Sequence, residues 1–557
     1  MDTATRRGGV FLTPLHFAKK ACESLESMPG ENRLLSGNCR LWDMAAGTGH
    51  LELFLPQEVQ PYCYLSTLEQ KDVRHLEKTF PAAHVFQYNY LDDDLSDLFR
   101  HPCEGRGLVN EVKPLQLDPR LRGGDVRGHG GDGEKSKLPD ALRKDLANPK
   151  IQWIILVNPP YATAQEAGLK GTSKEGVSDT KIRKQMHAEG LGEVSRELYV
   201  QFLYRIMHEF ADRKAVLGLF SPLKYLISAN YQKFRDNVFH AAFQSGFIFS
   251  SENFGGTSKT SHFPVSFILW DIHQKENVTA QKIHLDILDS AAQKIGVKKL
   301  TSAHRNDFLS RWIKRPRGTS IFPPFSSALT IKPGNVDTRN RIADGFLASL
   351  MCPGNELQNQ QQTAFLSGPQ ASAGALSVTP ENFEQAVVVF AARRIPKDSW
   401  INHVDQLMRP NRQLPPQFIS DCAVWSLFDS KNQTVSLRNV IYQERVYQIV
   451  NPFFPFAASE TQPEGCGKSF RNNSFVADWL AKQTLSAEAQ DVLASARKIY
   501  RLYFTNENSI DDAGWYQICQ ALRDVKLGLD LFAELKHWHD LLKAKIIPQL
   551  HNYGIVH

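Results

Sequence analysis

No apolar run of about eighteen residues or more occurs in this 557-residue sequence, and Met1-Asp2-Thr3-Ala4-Thr5-Arg6-Arg7 leads into no apolar signal segment. The expectation is therefore a soluble, non-secreted protein of the bacterial cytoplasm. Cysteine is sparse: eight residues are scattered from Cys22 to Cys519, with no Cys-x-x-Cys pair and no histidine at zinc spacing. Neither a metal site nor a disulfide framework is indicated. The glycine-containing stretch Leu41 to Glu52 carries no Gly-Lys-Ser/Thr, which disfavours a nucleotide-triphosphate loop there. There is no internal repeat. What remains is an ordinary globular composition, 42% hydrophobic and 22% charged, enough to bury cores for two or three domains. Net charge is +6, compatible with a polyanionic partner but weak by itself.

The most informative stretch is Ile151 to Tyr161. Trp153 to Val157 is bulky and partly β-branched, the composition of a strand buried on both faces. Pro159 has no backbone donor and Pro160 pushes its predecessor toward extended geometry, so pairing stops at Asn158. An amide, two carbonyls and the Tyr161 ring are thereby left at the mouth of a sheet. A plain Pro-Pro strand terminator is the structural alternative.

Earlier in the chain, Phe11-Leu12-Thr13-Pro14 precedes a helical pattern over Leu15 to Leu25, with Thr13 suited to cap it and Pro14 to its first turn. Leu41 to Glu52 reads as a strand passing through a glycine turn into a helix. Gly47 and Gly49 there allow close approach of backbone to a ligand, and the helix N-terminus offers unpaired N–H groups; the third glycine of the dinucleotide fingerprint is absent. Cys63 to Leu68 reads as a second strand ending in Glu69, about twenty residues after the glycines, where a carboxylate suits both ribose hydroxyls. A third segment, His84 to Leu91, is followed by Asp92-Asp93-Asp94; one amide or carboxylate in that run could take an exocyclic adenine amine, and Asp92 to Asp94 could equally cap the helix that follows. His101 to Lys150 is Gly-rich and charged with little apolar periodicity, and reads as an insertion that is mostly loop.

Further on, Arg196 to Leu203 begins a helix, Ala215 to Phe220 reads as a strand, Tyr231 to Phe243 as a helix and Val265 to Trp270 as a strand. This alternation predicts an open, doubly wound, mostly parallel α/β sheet with its ligand outside the carboxyl ends of the strands.

The ordered set of Phe-x-Thr-Pro, Gly-x-Gly, Asn158-Pro159-Pro160-Tyr161 and a recognition region resembles the DNA adenine-N6 methyltransferases with an amino-terminal Phe-x-Thr-Pro motif, as in type II and IIG modification enzymes. It covers roughly the first half of the chain, with weaker pieces at Glu197-Leu198-Tyr199, Leu219 to Pro222 and Phe263-Pro264-Val265. Leu12 departs from a common aromatic and Asn89 from a common Asp. The resemblance implies a class I, Rossmann-like catalytic domain using S-adenosylmethionine. It places Phe11, Thr13, Pro14, Asp43, Ala45, Gly47 and Gly49 around the methionine end, Glu69 on the ribose and Asn89 or Asp92 at the adenine. The adenine amine of duplex DNA would be flipped out and held by Asn158 and the Pro159 carbonyl. Tyr161 would stack on it, with Phe254 or Phe263 on the other face.

Residues 1–290 are thus expected to form the catalytic domain, including the insertion at about 101–150. Residues 291–470 would form a basic α+β target-recognition region and 471–557 a helical C-terminal region. From Gly296 to Arg341 ten Lys or Arg face only Asp307 and Asp337, a local net of +8 against +6 for the whole chain. Such a segment fits a strand-rich module tracking phosphates, with a solvated basic face as the alternative. Arg393, Arg394, Arg409 and Arg412 continue the basic theme, and any of them could read a guanine edge. Phe475 to Phe504 and Trp515 to Leu542 read as amphipathic helices. No Asp…Glu-x-Lys nuclease constellation stands out, and Phe-x-Thr-Pro begins within about ten residues of Met1, which favours a modification enzyme acting alone or beside a separate restriction endonuclease over a fused nuclease. RNA bases, a protein glutamine, or a catalytically silent DNA-binding subunit are the competing readings.

Overall fold

The computed structural model describes residues 12–28, 38–94, 136–161, 180–254, 262–300, 302–318, 325–327, 330–331, 343–368, 370, 374–442, 444–461, 474–506 and 509–557. They divide into two compact units, residues 1–302 and 303–557.

The first unit is built on a nine-stranded sheet: β1 (Cys39–Asp43), β2 (Cys63–Thr67), β3 (His84–Gln87), β4 (Gln152–Val157), β5 (Ala215–Pro222), β6 (Ala242–Ser250), β7 (Pro264–Asp271), β8 (Ile283–Leu288) and β9 (Lys294–Leu300). The spatial order is β3-β2-β1-β4-β5-β7-β6-β8-β9. Neighbours among β1 to β5 run parallel, and β7 is antiparallel to both β5 and β6. Leu41 lies opposite Cys63 on one side and Ile154 on the other. β2 is buried at every position and β4 at all but its first, which explains the uninterrupted apolar run Trp153 to Val157 in β4.

Alternate side chains serve the two faces. Leu41, Ile154 and Leu156 share a core with Phe17, Ala18, Ala21 and Cys22 of α1 (Leu15–Glu26). Trp42 and Trp153 point the other way and meet Phe210 edge-on, at 6.3 and 5.6 Å between centroids. Further helices of this unit include α2 (Gln70–Thr79), α3 (Asp140–Ala147), α4 (Lys181–Ala188), α5 (Leu198–Glu209), which leads into Phe210, and α6 (Gln232–Asn237).

Four local expectations change. The helix expected over Tyr231 to Phe243 stops at Asn237, and Ala242 opens β6. Gly246 makes that strand possible, since a Cβ there would lie 2.6 Å from the Phe267 carbonyl oxygen. The glycine turn leads only into a short 3₁₀ turn, Glu52–Phe54, because Pro56 and Pro61 interrupt the following residues. The supply of N–H groups from an α-helix start is therefore lost. Thr13 does not cap α1: Pro14 is the N-cap and no side-chain bond is made there. Finally, the end of the expected loop insertion belongs to the body of the unit. Leu142 on α3 is fully buried, and Asp145 takes a 2.7 Å bond from the Tyr64 hydroxyl and one from Arg40 Nε. Residues 95–135 lie outside the described residues.

The second unit contains two short hairpins, β10 (Phe325–Ser327) with β11 (Thr330–Ile331) and β16 (Leu437–Tyr442) with β17 (Arg445–Ile449). Its four-stranded sheet has the order β14 (Leu376–Val378), β12 (Ala348–Met351), β13 (Ala364–Leu366), β15 (Asn432–Gln433). It shares one apolar core with α7 (Phe383–Arg394), α8 (Pro416–Leu427), α9 (Ala487–Phe504), α10 (Trp515–Asp524) and α11 (Leu529–Asn552). The two C-terminal helical patterns are each broken: Ser486 caps α9 through Ala489 N–H, and Gly528, at φ +72°, separates α10 from α11.

Two arginines expected as candidates for reading bases are internal struts instead. Arg393 is buried and donates to Thr363 Oγ1, Gly354 O and Pro353 O at 3.0, 3.1 and 2.7 Å. Arg394 forms a two-pronged pair with Asp429, 3.1 Å on each arm. Arg409 pairs with Asp307 and the Arg412 guanidinium lies over the Tyr553 ring. The basic stretch beginning at Gly296 is itself divided, since Lys298 and Lys299 belong to β9 of the first unit.

Candidate active site

β1 and β4 are neighbours whose connections leave in opposite directions, so a crevice opens outside their carboxyl ends. Asp43 ends β1 and Asn158 follows β4. Glu69 and Asn89 follow β2 and β3 at the same edge, and Phe254 and Phe263 flank the end of β6 and the start of β7.

The turn after β1 is tightly specified. Asp43 Oδ1 accepts the Ala45 N–H at 2.7 Å, Ala46 N–H reaches Ser66 O at 3.0 Å, and Gly49 N–H reaches Ala46 O at 2.8 Å. Gly47 and Gly49 both have positive φ, +54° and +78°. Their surroundings differ. A Cβ on Gly49 would lie 2.5 Å from the Phe80 ring and 2.8 Å from a Leu76 methyl, whereas one on Gly47 would meet only Ala45 O at 3.9 Å. Gly49 is thus demanded by packing against α2 and its end, and Gly47 faces open space. Thr48 Oγ1 is buried without a hydrogen-bond partner among the described residues.

Under this turn lies an acid pair that sequence reasoning missed. Asp43 is 1% exposed and Glu52 3%. Burial pushes both carboxyls up, and for Glu52 the neighbouring Asp43 charge adds to it. The available signal was an acidic residue inside the run Leu51-Glu52-Leu53-Phe54-Leu55.

Beside this turn, Asn158 Nδ2 donates to Thr13 Oγ1 at 2.8 Å and Asn158 Oδ1 accepts from the Tyr161 hydroxyl at 2.7 Å. The Thr13 carbonyl meets His50 Nδ1 at 3.0 Å, which ties this cluster to the residue after Gly49. The Tyr161 ring is edge-to-face with Phe254 and Tyr199, at 6.2 and 6.4 Å between centroids. Phe254 is almost fully buried, so neither face of its ring is open to a base. Phe263 is half-buried against the same core, its backbone clamped to Ser251 in both directions, through Ser251 N–H to Phe263 O at 2.9 Å and Phe263 N–H to Ser251 Oγ at 3.1 Å.

The other sequence candidates fall as follows. Glu69 is exposed at the N-cap position of α2 and makes no side-chain capping bond. Asn89 and Asp92 are joined: Asn89 Nδ2 donates to Asp92 Oδ2 at 2.9 Å, and Asn89 Oδ1 accepts Leu91 N–H at 3.1 Å. Asp92 Oδ1 accepts the Lys181 N–H of α4 at 2.7 Å. Pro14 holds the start of α1 through its carbonyl, which accepts from Phe17 and Ala18 N–H. Pro159 and Pro160 follow Asn158 outside any strand or helix. Phe11 lies outside the described residues.

Sheet order and switch-point loop together define an open, doubly wound α/β protein of Rossmann-like type, consistent with a methyltransferase fold. No protein-family model and no curated protein matches the chain. Solved structures do match. A DrdV–DNA complex aligns at 15% identity over 64% of this chain and 36% of its own, with a TM-score of 0.36. A modification subunit of a putative type I restriction enzyme from Vibrio vulnificus aligns at 15% identity over 54% of this chain and 50% of its own, TM-score 0.29. The type IIL restriction-modification enzyme MmeI in complex with DNA aligns at 10% identity over 97% of this chain and 74% of its own, TM-score 0.32. The chain spans about a third of the first and half of the second. Likenesses this distant assign it neither a family nor an activity.

Proposed function

We propose that this protein is a DNA methyltransferase that modifies the N6 amine of adenine in duplex DNA. The observation carrying the reading is the Asn158 side-chain amide, bracketed by Thr13 and Tyr161 and followed by two prolines, at the switch point of the sheet and joined through Thr13 to the glycine turn.

The turn fits S-adenosylmethionine: Gly47 offers open backbone, the Thr48 hydroxyl is an orphaned buried polar atom, and Glu69 lies at the adjacent strand end. Asp43, Ala45 and Gly47 would hold the cofactor near its methionine end, and Glu69 its ribose. When bound it supplies an electrophilic methyl group. Asn158 Oδ1 and the Pro159 carbonyl accept the two hydrogens of the adenine amine, whose lone pair is otherwise delocalised into the ring. That contact favours a pyramidal nitrogen and fixes its direction, so positioning and preorganised dipoles supply the acceleration. Tyr161 offers one stacking face to the extruded base and half-buried Phe263 a second, offsetting part of the unstacking cost.

Purified protein incubated with labelled S-adenosylmethionine should transfer label to unmethylated duplex DNA as N6-methyladenosine, and Asn158→Ala should abolish the transfer. Label appearing only on RNA or protein would overturn the substrate.

A further inference from the structure

Thr13 ends the segment before α1, where a threonine is expected to spend its hydroxyl on the helix N-terminus. It does not: Pro14 is the N-cap, and the Thr13 hydroxyl oxygen accepts from Asn158 Nδ2 across 145 positions of sequence. Thr13 is 3% exposed, and its helix is fixed to the sheet by Phe17 stacked on Phe249, 3.8 Å between centroids. At the far end of the same amide, Oδ1 accepts from Tyr161.

We propose that Thr13 is a positioning residue that, together with the Tyr161 hydroxyl, fixes the plane and polarity of the Asn158 amide. The two ends of an asparagine amide are alike in shape and opposite in hydrogen-bond character. Rotated by half a turn, Asn158 would present N–H groups to an amine that itself needs acceptors. The two bracketing hydroxyls are chemically unequal. A phenol is the more acidic, so it is the better donor and poorer acceptor; an aliphatic hydroxyl is the better acceptor. The phenol therefore belongs at the oxygen end and the threonine at the nitrogen end, as found. This assignment rests on the methyltransferase reading for its consequence and on the hydrogen bonds alone for its geometry.

The test compares Thr13→Val, Thr13→Ser and Tyr161→Phe, with thermal unfolding confirming that each folds. Thr13→Val should lower kcat by on the order of tenfold to a hundredfold, the scale of a misplaced reacting group, with S-adenosylmethionine Kd unchanged. Thr13→Ser should rescue that loss. Tyr161→Phe keeps the stacking ring and should lower kcat in the same direction, and the double variant Thr13→Val/Tyr161→Phe should lose less than the product of the two, because both act through one amide. A second readout needs no substrate: the Asn158 side-chain amide resonance, identified by its loss in Asn158→Ala, should exchange faster with solvent in Thr13→Val than in wild type or Thr13→Ser. A Thr13→Val protein with weakened cofactor binding and unchanged kcat would make Thr13 a cofactor contact and overturn the proposal, as would an unaltered amide resonance. Wild-type protein that methylates no DNA would instead overturn the functional reading, and the resonance would still decide the geometry.

Discussion

Gly47 and Gly49 are two residues apart, share positive φ, and should fail in different ways when given a methyl group. At Gly49, φ +78° costs an L residue about 1–2 kcal/mol. The new Cβ would also lie 2.5 Å from the Phe80 ring and 2.8 Å from Leu76, and both residues are buried and cannot swing aside. Overpacking of that kind adds about 1–3 kcal/mol. Gly49→Ala should therefore destabilise the first unit by about 2–5 kcal/mol, a fall in Tm on the order of 5–15 °C. Gly47→Ala meets no neighbour closer than Ala45 O at 3.9 Å, so only the conformational cost remains, about 1–2 kcal/mol. Its methyl group would instead occupy the space offered to the cofactor. Differential scanning fluorimetry with and without S-adenosylmethionine separates the two. Gly47→Ala should melt near wild type but lose the upward shift produced by cofactor, and Gly49→Ala should melt early in both conditions. A Gly49→Ala protein as stable as wild type would refute the packing argument, and normal cofactor stabilisation of Gly47→Ala would refute the assignment of that space.

The buried Asp43 and Glu52 pair predicts a pH dependence. Both carboxyls are pushed above the ordinary carboxylate range by burial, so the folded state binds more protons than the unfolded state and stability falls as pH rises through the interval between ordinary and raised values. Glu52→Gln removes one of the two charges and should gain stability relative to wild type as pH is raised from about 5 to 8; a Tm difference that shrinks over that range would contradict it. Arg393 gives a prediction for the second unit: Arg393→Met should cost about 1–3 kcal/mol by leaving buried acceptors unpaired, measured by urea unfolding. Because the guanidinium is internal, the salt dependence of DNA binding should be unchanged; a slope reduced by about one would place it on a phosphate.

Much of the first unit was legible from local pattern. β4 was readable because burial on both faces demands an uninterrupted apolar run, and its end was readable because Pro159 and Pro160 cannot continue a ladder. β6 was not, since Phe239 to Phe249 is apolar enough for helix or strand and only the gap between β7 and β8 decides. The same limit hid the role of α3, whose Asp145 finds Arg40 and Tyr64 far away in sequence.

The sequence by itself determined which chemistry stands at the strand ends: an amide after β4, glycines after β1 and a carboxylate after β2, because propensity and periodicity act over neighbours a few residues apart. Only the tertiary structure decided the partners. It took the Thr13 hydroxyl from its own helix and gave it to Asn158, buried Glu52 beside Asp43, assigned Gly49 to packing and Gly47 to open space, and turned Arg393 inward. Those outcomes depend on which strands become neighbours, and strand order is set by the burial of the whole sheet, a quantity to which no short window of sequence has access.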